Sequence, residues 1–569
     1  MKAHCACCRT WEFFKGGASG MSAHIPINRH SGTRSEPSLS AGQRRVPSAK
    51  RPSLSLRLAA GIVAALALLP LVYLIVRTVE IGPEIVGILA RPRTVAVFFN
   101  SLGLTVAVTA SSVLIGVLLA WLTARTDLPG RHFWSTVTCL PLVLPSYVGA
   151  FALIAALGPN GMLQRLLAPL GVEQLPSIYG FPGAWLALTL FTYPYVQLSV
   201  RAGLRGLDPS LEDAARSLGR TAPQVFREVI LPHLRPAIAA GALLVALYTL
   251  SDFGAVSLLQ FNAFTRAIYV QYTGALDRSA AAVLALLLVA LTFLILLIEY
   301  RLRGRTRYYR SSAGALRHQR RAALGIWRYP AVALCAIISL LALGVPVLVT
   351  GYWLLQAGAA DGQWLQSIDI TLNSVTASGL ASAACVLAAL PIVIYAVRHP
   401  SHSSRLMERC AYIGHALPGI VVALALVFFG ARYAPYFYQT LFMLVLAYII
   451  LFLPLAVGSL RASLLQISPR IEEAARTLGR TSKQTLTSVT LPLLRPGLFT
   501  GMALVFLTCM KELPATLILG PTGFHTLATR IWGATEEAFF ARAAAPALIL
   551  VLVSAISIWI ILKHEEGDA

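Results

Sequence analysis

Charged residues are scarce in this sequence of 569 residues: Asp and Glu together number 24, and all charged residues make up 12%. A soluble chain of this length would be expected to form several domains with well-charged surfaces. Hydrophobic residues instead make up 57% of the chain, and the mean hydropathy is +0.70. Many stretches exceed the roughly 20 apolar residues that cross a bilayer as a helix. The composition therefore predicts an all-α polytopic membrane protein.

Several signatures of chemistry are also missing. The sequence has no Gly-Lys dipeptide, so it lacks the Walker A loop that holds nucleotide phosphates. It has no His-Glu-x-x-His and no Gly-x-Ser-x-Gly motif. The eight cysteines have no metal-ligand spacing, and Cys5, Cys7 and Cys8 are interpreted as an incidental part of the N-terminal tail. We therefore expect neither an enzyme nor a cofactor.

Basic residues dominate the net charge of +23, and they cluster in alternate loops between the apolar stretches. This positive-inside pattern sets the orientation of a membrane protein and does not indicate a nucleic-acid partner. The stretch at 301–328 carries nine arginines and no acid. We therefore expect this stretch and both termini in the cytosol, with the rest of the chain crossing lipid several times.

Twelve candidate spans divide evenly around that basic stretch. Six spans in each half make the halves parallel repeats about an axis along the membrane normal. The predicted units are a disordered cytosolic tail at 1–57, a first half at 58–300, a linker at 301–328, a second half at 329–562 and a short cytosolic tail at 563–569. The spans are placed at 58–76, 102–122, 133–157, 182–200, 236–259 and 280–299, and at 329–355, 370–397, 411–430, 441–460, 497–519 and 543–562.

One polar segment occurs twice. Positions 207–236 read LDPSLEDAARSLGRTAPQVFREVILPHLRP, and positions 467–496 read ISPRIEEAARTLGRTSKQTLTSVTLPLLRP. Each copy predicts a short helix that ends near a glycine, a turn, a second amphipathic segment and a stop at Leu-Pro. This period is too long for a solenoid and indicates two similar halves in one polypeptide.

Weaker repeats accompany this segment. Pro194 and Pro454 lie inside corresponding spans, where proline kinks a helix. Asn-Ser pairs at 100–101 and 373–374 open the second span of each half. We interpret them as caps at the membrane edge.

The repeated polar segment resembles the cytoplasmic loop of the integral-membrane subunits of ABC importers. In that family Glu-Ala-Ala is followed by Gly and later by Leu-Pro; the second copy matches throughout, and the first has Asp213 in the glutamate place. The resemblance implies a type I importer permease fold and, in each half, a coupling helix that docks on one copy of a dimeric ATP-binding subunit. The residues it implicates are Asp213, Ala214, Ala215, Gly219, Leu231, Pro232, Glu473, Ala474, Ala475, Gly479, Leu491 and Pro492.

Two acidic residues fall inside apolar spans at equivalent positions, Asp252 in SDFGAVSLL and Glu512 in KELPATLIL. An ionisable side chain within a span costs about 3 kcal/mol, so it is kept only where it faces a cavity or a partner. Carboxylates suit hard cations. We assign both acids, with the adjacent Lys511, to a candidate substrate pathway and as transient metal ligands. The alternative is structural: Lys511 neutralises the acids, or Gly254 and Pro514 merely break the helices.

These two strings, together with FHTLATRIW at 524–532, resemble the ferric-iron permeases of binding-protein-dependent ABC importers over about 58–562. The resemblance implies a permease in the bacterial inner membrane, a periplasmic or extracellular substrate-binding protein, and ATP hydrolysis on a separate chain. Permeases for thiamine or phosphonates share this outline and are alternatives. A secondary transporter or channel without an ATPase is the alternative of another class, in which the acids bind protons or cations.

Overall fold

The computed structural model describes residues 52–159, 161–171, 174–207, 209–275, 277–302, 322–356 and 363–567. Within these ranges the chain is helical, and its one isolated β-bridge joins Thr126 to Ala322. Helices satisfy their own backbone hydrogen bonds, as the core of a bilayer requires. The all-α prediction is confirmed. Most of the predicted N-terminal tail, including Cys5, Cys7 and Cys8, lies outside the described residues, as does most of the linker.

The described residues of the first half form thirteen α-helices. They are α1 (Leu54–Ile81), α2 (Glu84–Leu89), α3 (Pro92–Arg125), α4 (Arg131–Val137), α5 (Ser146–Leu157), α6 (Met162–Leu167), α7 (Phe181–Gly206), α8 (Pro209–Ser217), α9 (Ala222–Val225), α10 (Leu231–Ser251), α11 (Gly254–Leu258), α12 (Phe264–Thr273) and α13 (Arg278–Leu302). A π-helical turn at Phe226–Ile230 joins α9 to α10.

The second half repeats this order. Its helices are α14 (Arg328–Ser339), α15 (Val345–Gln356), α16 (Gln363–Arg398), α17 (His402–Ile413), α18 (Gly419–Tyr433), α19 (Leu441–Gln466), α20 (Pro469–Thr477), α21 (Ser482–Thr485), α22 (Leu491–Leu493), α23 (Arg495–Met510), α24 (Pro514–Leu519), α25 (Leu527–Glu536) and α26 (Phe540–Gly567). A π-helical turn at Leu486–Thr490 occupies the place of the one in the first half.

The helices account for the predicted spans. Among the described residues, nine helices are long and apolar enough to cross a membrane, and the bent pair Ser482–Leu493 and Arg495–Met510 makes a tenth. The two other predicted spans correspond to α7, which is largely buried between α3 and α10, and to the short apolar helix α18. The prediction of about twelve spans in two repeats is confirmed.

The fifth predicted span of each half is not one continuous helix. The predicted span at 236–259 is interrupted between α10 and α11, and the span at 497–519 is interrupted between α23 and α24. In the first half an aspartate side chain takes the backbone donors of the next turn, and in the second a proline opens the new helix. The interruptions coincide with the two acidic residues.

The predicted stop at Leu-Pro is also wrong. Leu231 and Pro232 begin α10, and the preceding π-helical turn runs directly into it. Proline is tolerated at the first turn of a helix, where its missing N–H has least effect. In the second half Leu491 and Pro492 begin α22, and the chain bends by 66° before α23.

The first span of each half packs on the other half. Helix α1 lies against α16, α17 and α18, where the Tyr73 hydroxyl donates to the carbonyl of Phe428 at 3.2 Å. Helix α14 shares a buried cluster with the first half, in which Ala331 and Cys335 pack with Leu119 and Phe191. The two repeats are therefore interlocked through their first helices.

Close approach of α3 and α7 depends on Gly116. A Cβ at this position would lie 2.7 Å from the Val196 Cβ and 2.9 Å from the Tyr193 carbonyl oxygen. Small residues let membrane helices approach closely, and overpacking of a filled contact costs about 1–3 kcal/mol. We expect Gly116→Ala to lower the thermal unfolding temperature of the purified protein. Gly103→Ala on the same helix is the control, since nothing lies within 4 Å of its Cβ; equal melting of the two variants would contradict this packing role.

Candidate functional site

The two copies of the polar segment form matching structures at one end of the bundle, which we call the loop end. Helices α8 and α20 carry the repeated sequence, and each is followed by a glycine with positive φ, 82° at Gly219 and 85° at Gly479. In the second copy, the N–H groups of Gly479 and Arg480 donate to the carbonyls of Arg476 and Ala475. Glycine adopts this left-handed conformation at little cost and so ends the helix sharply. The predicted turn at each glycine is confirmed.

The residues implicated by the sequence are mostly accessible. Leu231, Pro232, Leu491, Pro492 and Ala215 are half-buried, Ala475 is buried, and the exposed members are Asp213, Ala214, Gly219, Glu473, Ala474 and Gly479. Leu218 and Leu478, directly before the two glycines, are 82% and 84% exposed. An apolar side chain exposed at the same place in both repeats suits contact with another protein.

Sequence reasoning missed the buried acid of each repeated helix. Glu212 lies 2.8 Å from an Nη atom of Arg125, the last residue of α3. Glu472 lies 2.9 Å from an Nη atom of Arg398, the last residue of α16. The available signal was the recurrence of this glutamate in both copies, together with an arginine at the end of the second span of each half. These ion pairs fasten α8 and α20 to the membrane bundle.

Asp252 lies at the interruption between α10 and α11 and is 7% exposed. The Ser146 hydroxyl donates to one of its carboxylate oxygens. The other oxygen accepts from the backbone N–H groups of Ala255, at 3.0 Å, and Val256, at 3.3 Å. The carboxylate thus occupies the N-terminal ends of both α11 and α5, where backbone donors and the helix dipole favour negative charge.

Glu512 has a corresponding position in the second half and is half-buried. Its Oε1 accepts from the N–H of Ala515 at 3.2 Å. A Cβ on Gly419, the first residue of α18, would lie 2.5 Å from this oxygen. Each acid is therefore enclosed by the N-terminal ends of two short helices. Lys511 is half-buried at the end of α23, and within the described ranges no group of three His, Cys, Asp or Glu side chains could hold a metal ion.

The two interruptions meet at the contact between the halves. A Cβ on Gly254 would lie 3.3 Å from the Leu513 Cδ2 and 2.7 Å from the Tyr147 Cβ. Tyr147 interacts electrostatically with Glu512, and its buried hydroxyl has no hydrogen-bond partner among the residues that the structure describes. The structure therefore brings the surroundings of the two predicted acids together, with the buried phenol of Tyr147 close to Glu512.

Aromatic rings close this contact. The ring centroids of Phe253 and Tyr269 are 5.0 Å apart, and that of Trp532 lies 6.1 Å from Phe253 and 5.7 Å from Tyr269. Phe253 follows Asp252, Tyr269 belongs to α12, and Trp532 belongs to α25 in the other half. Separation of the halves at this level would have to part these rings.

The Asn-Ser pairs do not cap the second spans, because α3 begins at Pro92 and the second pair also lies inside α16. Ser101 accepts from the N–H of the first residue of α12 at 2.9 Å, and Asn100 donates to a carbonyl just before that helix. Ser374 and Asn373 make the equivalent hydrogen bonds at the start of α25, at 2.8 and 3.2 Å. The pairs therefore hold the segments that follow the two acidic interruptions.

Comparison with known proteins places this arrangement in a class. The profile of the family "binding-protein-dependent transport system inner membrane component" matches twice, at residues 112–308 and 388–565. The two matches contain the two repeated helices and both acidic interruptions. Two copies of this unit in one chain define an ABC importer permease with fused halves.

Individual relatives agree with the profile. The Fe(3+)-transport system permease protein FbpB 2 of Haemophilus influenzae is 35% identical over 519 residues, 90% of this chain and 99% of the relative. The ferric transport system permease protein FbpB of Actinobacillus pleuropneumoniae is 26% identical over 83% of this chain and 71% of its own. The molybdenum transport system permease protein ModB of Escherichia coli is 32% identical over 33% of this chain and 84% of its own. This chain belongs to the family of inner membrane components of binding-protein-dependent transport systems, and it is a multi-pass transport subunit.

Proposed function

We propose that this chain is the permease of an importer for ferric iron in the bacterial inner membrane. The observation that carries the proposal is the 35% identity to a ferric-iron permease along 99% of that protein. Such coverage includes both halves, both repeated helices and both acidic interruptions. Relatives with other named cargoes, such as the molybdenum permease, match only about a third of this chain.

The loop end faces the cytosol in this proposal. It carries the repeated helices α8 and α20, and the exposed Leu218 and Leu478 that directly follow them would contact a dimer of ATP-binding subunits, together with Asp213 and Glu473. ATP is hydrolysed on that partner. The opposite end receives a substrate-binding protein, and both termini are cytosolic. The units at 1–57, 58–300, 301–328, 329–562 and 563–569 are the tail, first half, linker, second half and C-terminal tail.

Transport follows from motion of the halves. ATP closes the partner dimer, α8 and α20 move together, and the contact formed by Phe253, Tyr269 and Trp532 opens to the binding protein. The ion then passes between the halves, beside Asp252 and Glu512, and hydrolysis restores the closed contact. Carboxylates and the free hydroxyl of Tyr147 supply the hard oxygen donors that a trivalent cation prefers.

The charges near the pathway also bear on the alternative cargoes. Two carboxylates at the junction repel an oxyanion such as a phosphonate and attract a cation. Thiamine is also a cation, so the charges do not distinguish it from ferric iron as the cargo, and only uptake measurements do. A transporter without an ATPase gives no reason for the exposed Leu218 and Leu478 to recur after α8 and α20.

Uptake of radiolabelled ferric iron tests the proposal. Proteoliposomes would contain this chain together with its ATP-binding and substrate-binding partners. We expect ATP-dependent uptake by the native protein and at least a tenfold lower rate when Asp252→Asn and Glu512→Gln are combined, because the pathway loses both charges while the capping oxygens are kept.

Three results separate the parts of this proposal. Uptake that persists in the double variant keeps iron as the cargo and limits the acids to capping. An assembled complex that hydrolyses ATP without moving iron removes the cargo assignment, and thiamine uptake is then measured. A chain that binds no ATP-binding subunit would contradict the importer itself.

A further inference from the structure

We propose that α3 and α16 are connecting helices that carry the displacement of α8 and α20 to the segments beyond the acidic interruptions. The buried ion pairs Glu212–Arg125 and Glu472–Arg398 fasten them at the loop end, and the Asn-Ser pairs fasten them at the other end. The inference rests on the proposed docking of α8 and α20 to an ATP-binding subunit. It makes Glu212, Glu472 and their arginines positioning residues for transport.

The loop-end attachment is most complete in the second half. The Arg398 guanidinium donates from Nε to Glu472 at 3.0 Å and from Nη2 to the carbonyl of Ile467 at 3.1 Å. Thr490, in the π-helical turn, donates to the same carboxylate at 3.3 Å. One arginine therefore joins α16 to the entry of α20 and to α20 itself. A guanidinium that donates two hydrogen bonds in this forked arrangement has a fixed orientation.

The first half has the same attachment with fewer bonds. Arg125 pairs with Glu212 and donates to the carbonyl of Leu204 at 3.3 Å. Ile230 stands where the second half has Thr490, so the hydroxyl donor is missing. The carbonyl of Arg125 instead accepts from the N–H of Ala322 at 2.8 Å, which ties this joint to the end of the linker.

The far attachment lies at the same distance along both helices. Asn100 precedes Arg125 by 25 residues, and Asn373 precedes Arg398 by 25 residues. At 1.5 Å per residue this is about 37 Å of helix. Both helices are continuous over this length, α16 even through Pro391. The far ends hold α12 and α25, the elements that carry Tyr269 and Trp532 of the aromatic contact.

A continuous helix bonded at both ends transmits displacement, whereas a helix bonded at one end does not. A connecting helix therefore has a specific thermodynamic signature. Mutations about 37 Å apart normally have additive effects. If one helix connects the two attachments, breaking either attachment removes that helix's whole contribution to the ATP-driven movement. Breaking the second attachment then has no further effect.

The experiment measures the ATP-driven movement directly, without the cargo. Spin labels are placed at Leu170→Cys and Tyr436→Cys, which are exposed at the end opposite the loops, in a background where Cys5, Cys7, Cys8 and Cys410 are serine. The complex with the ATP-binding subunit is held in proteoliposomes, and the fraction of molecules that change label separation on addition of ATP is recorded. The loop-end variant is Arg398→Met with Glu472→Leu, which leaves no unpaired buried charge; the far-end variant is Asn373→Ala with Ser374→Ala.

The odds are the ratio of molecules that change label separation with ATP to those that do not. We expect each variant to lower these odds about tenfold, within the usual range of coupling between sites. The combination of both variants should lower them no further. The control Arg77→Gln with Glu80→Gln removes a partly exposed pair at 3.0 Å on α1, outside both repeated segments, and should respond like the native protein.

Losses that multiply in the combined variant, or a native response after removal of the ion pair, would overturn the connecting role. If the apolar variant does not assemble, Arg398→Lys replaces it, since lysine keeps the charge and loses the fork; a native response of that variant also overturns the proposal. If the native complex binds the ATP-binding subunit and moves with ATP but imports no iron, only the cargo assignment is contradicted. A native complex that does not respond to ATP removes the importer proposal and this one with it.

Discussion

Replacing Leu218 and Leu478 with aspartate is expected to abolish binding of the ATP-binding subunits. Both side chains are more than four-fifths exposed, at 82% and 84%, and each precedes the glycine that ends a repeated helix. Truncating a side chain at the centre of a protein interface often costs about 2 kcal/mol or more. Two such sites together correspond to a loss of affinity of about a thousandfold.

The measurement is co-purification and titration of the ATP-binding subunit with the native and variant permease. Ile326→Asp is the control, because Ile326 is equally exposed, at 81%, but lies outside the repeated segments. The control should bind the subunit as the native chain does. Native affinity of the double aspartate variant would place the docking surface elsewhere on the chain.

Asp252→Ala is expected to destabilise the protein by about 2–4 kcal/mol. The substitution leaves the Ser146 hydroxyl and the N–H groups of Ala255 and Val256 without their acceptor in a buried place. A lost cap costs up to about 2 kcal/mol, and each buried polar group left unsatisfied costs about 1–3 kcal/mol. The thermal unfolding temperature of the purified permease should fall accordingly.

Two further variants separate the cap from the charge. Asp252→Asn keeps an oxygen acceptor and should retain most of the stability, since asparagine caps helices nearly as well. Asp277→Ala removes a similar bond, to the N–H of Ala280 at 2.9 Å, but at a partly exposed helix start, and should cost about 1 kcal/mol. If Asp252→Ala melts no lower than Asp277→Ala, the buried cap is not a significant source of stability.

The sequence predicted what depends on local pattern. Long apolar stretches predict the spans because a helix satisfies its own backbone hydrogen bonds in the bilayer core. The glycines at 219 and 479 predict the turns because the chain needs a residue in the left-handed conformation there. The repeat then located both loops and both acids. These features require no knowledge of which helices touch.

The remainder depends on tertiary partners that no local pattern reveals. Asn100 and Asn373 were interpreted as caps because they lie near a predicted membrane edge, yet their acceptors are 162 and 152 residues away along the chain. The buried glutamates of the two repeats were missed because each is adjacent to an exposed acid, Asp213 or Glu473. The sequence does not show which of two adjacent acids pairs with an arginine of another helix. Breaks at Gly254 and Pro514 were one of two alternatives, because hydropathy does not show which backbone donors the side chain of Asp252 accepts from.

The exchange of first helices between the repeats has a consequence for biosynthesis. Helix α1 ends at residue 81, but α16, part of the surface that covers it, begins only at residue 363. At a synthesis rate of about 5–20 residues per second, α1 waits roughly 15–60 s in the membrane for its partner. The amino-terminal repeat therefore cannot finish folding before the carboxy-terminal repeat is inserted. Genetic separation of the chain at the linker would give two fragments, each displaying a docking face that only the other can fill.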